Sequence, residues 1–346
     1  MEPWRQFLND GKVIPASPLA LNSDGTWSEA HQRALVRYYI DAGAGGLAVG
    51  VHSTQFAIRD PQHGLFEPLL RRVANWMDES LPPESPFVRI AGLCGATKQA
   101  VTEARLAAGY GYHAGLLSLS ALREASEDAL IRHCQDVAQV LPVVGFYLQP
   151  AVGGRVLPYS FWRRLTQIDQ LVAIKIAPFN RYQTWDVVRA VIESGRDDVA
   201  LYTGNDDNII VDLLTRFEWK GSTRLIAGGL LGQWGVWTKA AVQMLRTLQQ
   251  VRAGTSVPSA WLTRAIELTD ANAAVFDAAN GFAGCIPGIH EVLFRNGLLP
   301  SVRCLNRNET LSTGQSDELD RVIRAYPWLN DDDFVSENRE RWLTAD

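Results

Sequence analysis

Cysteine is scarce: Cys94, Cys134, Cys285 and Cys304 are the only four in 346 residues, and no two form a C-x-x-C pair. That scatter excludes a disulfide framework and a cysteine zinc site, and makes a reducing, cytoplasmic compartment the expectation. Long apolar runs are missing as well. No stretch of about 18 apolar residues occurs, so no transmembrane helix is expected. The opening residues MEPWRQFLNDGKV carry no apolar h-region, and no secretory signal is read there. Positive charge is not in excess: 33 Lys and Arg stand against 38 Asp and Glu, a net charge of −5. Such a chain has no basic face to recruit nucleic acid or an anionic membrane, and neither is an expected partner. His31, His63, His113, His133 and His290 show no metal-ligand spacing, so no metal site is expected. GAGGLA (43–48) mimics a dinucleotide-binding turn, but it follows a helical pattern and precedes a strand, the reverse of the required order.

What the chain does have is alternation. Apolar runs rich in Val, Ile, Leu and Ala recur as KVIPASPLAL, GGLAVGV, FVRIAGLCG, HAGLLSLS, PVVGFYLQP, LVAIKIAP, VALYTGN and RLIAGGLL. Segments of helical period, such as SEDALIRHCQDVAQVL, separate most of them. Thr26-Trp27-Ser28-Glu29 reads as a capping box opening the first of these helices. Eight strand–helix units imply a parallel sheet with right-handed crossovers. That count predicts a (β/α)8 TIM barrel over residues 1–252, with a doubly wound open sheet as the rival. Residues 253–346 hold helical patterns and no convincing strand, and read as a helical C-terminal extension. LPPESP reads as a surface connection, and NDDDF (330–334) as a turn or helix start.

One residue breaks the apolar pattern. LVAIKIAP (171–178) places Lys175 inside a run that otherwise reads as a buried strand, and a lysine is rarely buried without compensation. Strand alternation sets Leu171, Ala173, Lys175 and Ala177 on one face, and Val143, Gly145 and Tyr147 on one face of the strand before. With the bulky faces turned to the helices, Lys175 and Tyr147 are both expected to point inward, near the strand ends where barrel active sites gather. Burial lowers the pKa of such an amine, and a neutral amine attacks a ketone to form a Schiff base. A tyrosine one strand away is suited to relaying the protons. The competing account is a structural lysine paired with a carboxylate.

YLQP (147–150) followed by LVAIKIA (171–177) resembles the tyrosine-x-x-proline and I-K strands of the dihydrodipicolinate synthase and N-acetylneuraminate lyase superfamily. In the same order come ASPLALNSDGTWSEAHQRALVRYYIDAGAGGLAVG, IAGLCGATKQAVTEARLAAGYGYHAGLL, LYTGNDD and FRNGLLP. The resemblance implies a barrel with a helical extension and Lys175 as the imine-forming nucleophile. It further implies Tyr147 as proton relay, no cofactor beyond the covalent lysine imine, a 2-keto acid such as pyruvate as substrate, and a homo-oligomer, tetramer or dimer. Gly204 and Gly228 are implied to line the substrate pocket.

The departures from that pattern narrow the expectation. Where relatives carry a G-T-T-G-E-like turn for the keto-acid carboxylate, this chain reads GVHSTQ (50–55). One register offers His52 and Ser53 as its binding groups, the other Ser53 and Thr54. In the first, His52 is an extra acid or base, or merely caps the turn. Ser120-Ala121-Leu122 stands where a tyrosine pair is usual, and Arg155 falls several positions late. Those losses argue against a true dihydrodipicolinate synthase. Asn180 and Arg181 lie either beside the distal substrate or on a surface loop. The expected activity is a class I lyase performing aldol cleavage or condensation. Dehydration of a 2-keto-3-deoxy sugar acid through the same imine, and a non-catalytic barrel paralogue, are the alternatives. A phosphate-binding isomerase using IAGGL (226–230) ranks last, because Asn205, Asp206 and Asp207 stand where basic residues are needed.

Overall fold

Apolar strands joined by amphipathic helices satisfy their backbone groups by pairing in parallel, with the helices covering one face of the sheet. In the computed structural model, which describes residues 2–344, ten strands form: β1 (Val13–Pro15), β2 (Gly46–Val49), β3 (Val88–Leu93), β4 (Ala114–Leu117), β5 (Val143–Tyr147), β6 (Leu171–Ile176), β7 (Ala200–Thr203), β8 (Arg216–Trp219), β9 (Ser222–Leu225) and β10 (Gly228–Leu231). Eight of them make one parallel sheet in the order β1-β10-β7-β6-β5-β4-β3-β2. A parallel bridge between Ala16 and Ala48 joins its two ends, with the Ser17 amide donating to the Ala48 carbonyl at 2.8 Å. The sheet is a closed (β/α)8 TIM barrel.

Nine helices accompany the strands: α1 (Pro3–Asn9), α2 (Glu29–Ala42), α3 (Phe66–Ser80), α4 (Thr97–Gly109), α5 (Glu127–Ala138), α6 (Tyr159–Leu165), α7 (Arg181–Ser194), α8 (Ile209–Leu214) and α9 (Thr238–Ala253). Four more follow: α10 (Ala260–Val275), α11 (Cys285–Arg295), α12 (Gln315–Ala325) and α13 (Asp332–Leu343). The last returns to pack on α2, where the Tyr38 hydroxyl donates to Asp331 at 2.8 Å and the Trp342 indole to Asp41 at 2.6 Å.

Strand alternation divides the apolar residues into two cores. Val143, Tyr147, Leu171, Ile174 and Ile176 pack outward against the helices. Val144, Phe146, Leu148, Ala173, Ala177 and Tyr202 fill the barrel itself. Helix α1 plugs the amino-terminal end with Leu8, whose carbonyl accepts the Tyr202 hydroxyl at 2.7 Å. The opposite end is open.

Two local expectations fail. The capping box does not form: Ser28 Oγ meets His31 Nδ1 at 2.9 Å, and the Thr26 hydroxyl turns back to Asp24 at 2.6 Å. The segment read as one last strand, RLIAGGLL, is divided between β9 and β10. Strand β9 belongs to an antiparallel hairpin with β8, turning at Lys220 and Gly221 with φ of 51° and 81°. Two successive left-handed residues match the twist of a tight hairpin.

Candidate active site at the open end of the barrel

Lys175 stands on β6 with its side chain inside the barrel and only 8% of its surface exposed. Its ammonium lies 4.7 Å from the centre of the Phe146 ring. A β-carbon on Gly204 would come within 2.6 Å of Lys175 Cε and 2.8 Å of Ala177 Cβ, so the end of β7 admits no side chain there. Burial lowers the lysine pKa, and the negative charge of Asp206 opposes the shift without reversing it. No carboxylate lies within 4.0 Å of the amine among the described residues. Asp206, on the turn after β7, faces the same cavity. Burial raises its pKa, against the pull of Lys175 and a hydrogen bond from the Gln233 amide. Its Oδ1 is buried with no hydrogen-bond partner. The backbone of this turn is held from outside the barrel, where Asn272 Nδ2 of α10 donates to the Asp206 carbonyl at 2.7 Å and Thr269 Oγ1 to the Asp207 carbonyl at 2.8 Å.

The turn after β2 supplies the second polar wall. His52 and Ser53 line the cavity, and Thr54 does not. The Thr54 hydroxyl donates to the Ser17 carbonyl at 2.6 Å and accepts from the Gly50 and Val51 amides at 3.1 and 3.2 Å, so it builds the turn from beneath. Ser53 Oγ donates to the Ala16 carbonyl at 2.9 Å. Of the two registers weighed for GVHSTQ, it is the His52–Ser53 one that faces the cavity. Burial, reinforced by the nearby lysine charge, pushes the His52 pKa down to about 4, leaving a neutral ring. Beneath the turn, Arg59 donates to the carbonyls of Gly50 at 3.1 Å and Gly92 at 2.8 Å and pairs with buried Glu103 at 2.9 Å.

Tyr147 requires a correction. It is fully buried on the helix side of β5, tilted against Trp162 with ring centres 5.0 Å apart. Its hydroxyl accepts from the Leu157 amide at 3.2 Å and donates to the Leu157 carbonyl at 3.3 Å. The inward position belongs to Phe146, the ladder partner of Lys175, while Tyr147 pairs with outward Ile176. The cause is a register shift. Val143 pairs with Leu171 but Val144 with Ala173, so Val172 is an extra residue in β6 that packs inside the barrel beside Ala173, and the alternating inward sets beyond it are Val144, Phe146, Leu148 and Ala173, Lys175, Ala177. Leu171, expected on the lysine's face, consequently packs outward.

Gly228 is also displaced from its expected place. A β-carbon there would lie 2.3 Å from the Lys12 carbonyl oxygen, at the closed end of the barrel; the glycine of this strand that reaches the cavity is Gly232. Asn180 caps α7 by accepting from the Tyr182 amide at 2.9 Å, and Arg181 pairs with Asp212. Arg155 donates to the Leu122 and Ala125 carbonyls, each at 2.9 Å. None of the three lines the cavity.

The remaining walls escaped the sequence reading. Gln149 and Phe179 come from loops after β5 and β6, and Phe276, Phe282 and Cys285 from the helical extension. Only Asp206 had left a visible trace, in the acidic run of LYTGNDD. The cavity above Lys175 leaves about 80 Å³ open to the centres of water-sized molecules, several times what a single water needs. Among the described residues, no group of three or more His, Cys, Asp or Glu is arranged to hold a metal ion, and no helix is long and apolar enough to cross a membrane.

The chain belongs to the dihydrodipicolinate synthetase family, whose sequence profile matches residues 9–216. Its fold is similar to that of YagE, a prophage protein of the dihydrodipicolinic acid synthase family from E. coli K12 solved in complex with pyruvate, at 17% identity and a TM-score of 0.73 over 92% of this chain and 99% of that one. N-acetylneuraminate lyase from Fusobacterium nucleatum matches with 14% identity and a TM-score of 0.69, over 91% and 98% of the two chains. A monomeric dihydrodipicolinate synthase variant matches with 17% identity and a TM-score of 0.72, over 92% and 98%. At these identities the likeness is one of fold. No curated protein matches the sequence.

Proposed function

We propose that the protein is a class I lyase in which Lys175 forms an imine with pyruvate or another 2-keto acid, and that this imine drives aldol cleavage or condensation. The observation that carries the reading is the setting of Lys175: a buried amine in an apolar barrel, its charge disfavoured and no carboxylate at ion-pair distance. Family membership supports it. A neutral Lys175 attacks the ketone carbon, water leaves, and the protonated imine accepts the electron pair of the bond that breaks. The covalent imine supplies the electron sink, so the proposed reaction needs no cofactor.

Proton transfer is assigned to Asp206, with neutral His52 and Ser53 beside the keto-acid end. Asp206 has the qualities of a proton carrier: a carboxyl pushed toward neutrality by burial, one oxygen free of protein partners, and a place on the lysine's own cavity. Tyr147 takes no part, since both hydrogen bonds of its hydroxyl go to Leu157.

Borohydride reduction in the presence of pyruvate and a panel of longer 2-keto acids tests the imine. An adduct located on Lys175 by peptide mass spectrometry is the expected result. An adduct with no keto acid in the panel overturns the reading and leaves a barrel that binds ligands without catalysis.

A further inference from the structure

Four phenylalanines from separate parts of the chain surround the space above Lys175. Phe146 comes from β5, Phe179 from the loop after β6, and Phe276 and Phe282 from the extension after α10. Phe179 and Phe282 meet edge to face with ring centres 5.9 Å apart. Both have left-handed backbones, with φ of 54° and 69°. A bulky residue in that region is strained and persists only where its surroundings hold it. The surroundings here are specific: Asn205 Oδ1 accepts from the Phe179 amide at 3.0 Å. Asp277 fastens the other loop, accepting from the Gly284 amide at 2.9 Å and from Asn280 Nδ2 at 2.7 Å.

Polar groups in the cavity are few and lie around the reacting centre. Apart from Lys175, no lysine or arginine among the described residues lines it. The nearby guanidinium groups are committed elsewhere, Arg155 to two backbone carbonyls and Arg181 to Asp212. A distal carboxylate therefore finds no cation, and the hydroxyls of a sugar chain meet aromatic carbon beyond Asp206 and Gln149. An aromatic ring finds four phenylalanines with which to pack.

We infer that the aldehyde half of the substrate is apolar and aromatic, an arylaldehyde or its pyruvate aldol, and not a sugar or a carboxylated aldehyde. This rests on the imine reading above. In the cleavage direction the 4-hydroxyl of the Lys175-bound aldol gives its proton to Asp206 as the C3–C4 bond breaks. The electron pair passes into the imine to give an enamine, and the arylaldehyde departs. The enamine C3 then takes that proton back from Asp206, and water releases pyruvate and the free lysine. The water consumed balances the one lost on imine formation, and no redox change occurs.

The test measures condensation of pyruvate with benzaldehyde, glyceraldehyde and succinic semialdehyde, alongside borohydride trapping with pyruvate alone. Benzaldehyde is expected to exceed both others in kcat/KM by about 10- to 100-fold, the discrimination that an apolar pocket achieves against added polar groups. In Phe282→Ser that preference is expected to fall by roughly tenfold. Equal or better use of glyceraldehyde or succinic semialdehyde overturns the inference while trapping still upholds the imine. If pyruvate is not trapped, calorimetry on Lys175→Met compares the pyruvate–benzaldehyde aldol with the pyruvate–glyceraldehyde aldol as ligands. Tighter binding of the phenyl compound upholds the aromatic pocket without the imine, and tighter binding of the polyol overturns it.

Discussion

Phe146 and Lys175 are partners across the β5–β6 ladder, and the ammonium stands 4.7 Å from the centre of the phenylalanine ring. The pairing places an aromatic face, with no titratable proton, beside the amine. A ring face tolerates the ammonium through its quadrupole but gives it no counter-charge, so the lysine keeps easy access to its neutral form. It also transfers the work of moving protons to the other polar groups of the cavity.

Lys175→Ala should abolish turnover and borohydride trapping while leaving the barrel folded. Removing a buried charge relieves its desolvation, so the melting temperature is expected to hold or rise. Circular dichroism and thermal unfolding check the fold, and a variant retaining full activity ends the imine mechanism.

Tyr147→Phe separates the expected tyrosine relay from the observed packing. The change removes a hydroxyl bonded only to Leu157, and two buried backbone groups lose their partner. Stability should fall by about 1–3 kcal/mol, with kcat changed little. A loss of ~10²–10⁴ in kcat at unchanged stability is the signature of a proton relay and would restore Tyr147 to the mechanism.

Asp206→Asn should lower kcat by ~10²–10⁴ and alter the pH profile of kcat/KM. In the condensation direction the wild-type rate climbs with pH as the lysine sheds its proton and declines as Asp206 loses the one it must donate to the aldehyde oxygen, a bell set by the pair together. The asparagine variant keeps only the rising limb. That limb moves to lower pH, because the carboxylate that favours the ammonium is gone. An unchanged bell assigns the falling limb to another group.

His52 governs a different pH window. Its pKa falls from an ordinary 6.5 to about 4 in the folded chain. A lowered folded-state value means that the unfolded chain takes up the proton first, so the stability His52 contributes is complete above its ordinary value and lost as pH falls toward its folded one. The loss amounts to at most about 3 kcal/mol. His52→Gln should therefore lose less stability than wild type between neutral pH and about pH 4.5 in denaturant titrations. Equal losses in the two proteins place the acid sensitivity on His113 and His290, whose pKa values burial also holds at about 4.

Local pattern carried the architecture. Eight apolar runs with helical segments between them close into the barrel that the alternation predicted, and the lysine in LVAIKIAP lies inside it. Gly204 of LYTGNDD, which the resemblance implied to line the substrate pocket, leaves no room for a β-carbon beside Lys175. The hairpin at Lys220-Gly221 was missed although its turn is local, because the apolar run of β9 and β10 read as continuous.

The inward phase of β5 was beyond local reading. A period of two divides Val143, Gly145 and Tyr147 from Val144, Phe146 and Leu148, but it is silent on which set faces the axis. A choice between the neighbours Phe146 and Tyr147 depends on the register with β6, and the extra residue Val172 shifts that register. Asp206 and the rings of Phe276 and Phe282 reach Lys175 from segments distant in the chain, held by hydrogen bonds such as that from Asn272 to the Asp206 backbone. Alternating hydrophobicity, a property of neighbouring residues, was enough to specify strands, helices and a lysine out of place among apolar residues. Which groups surround that lysine is a property of strand register and long-range packing, and these exist only once the chain has closed on itself.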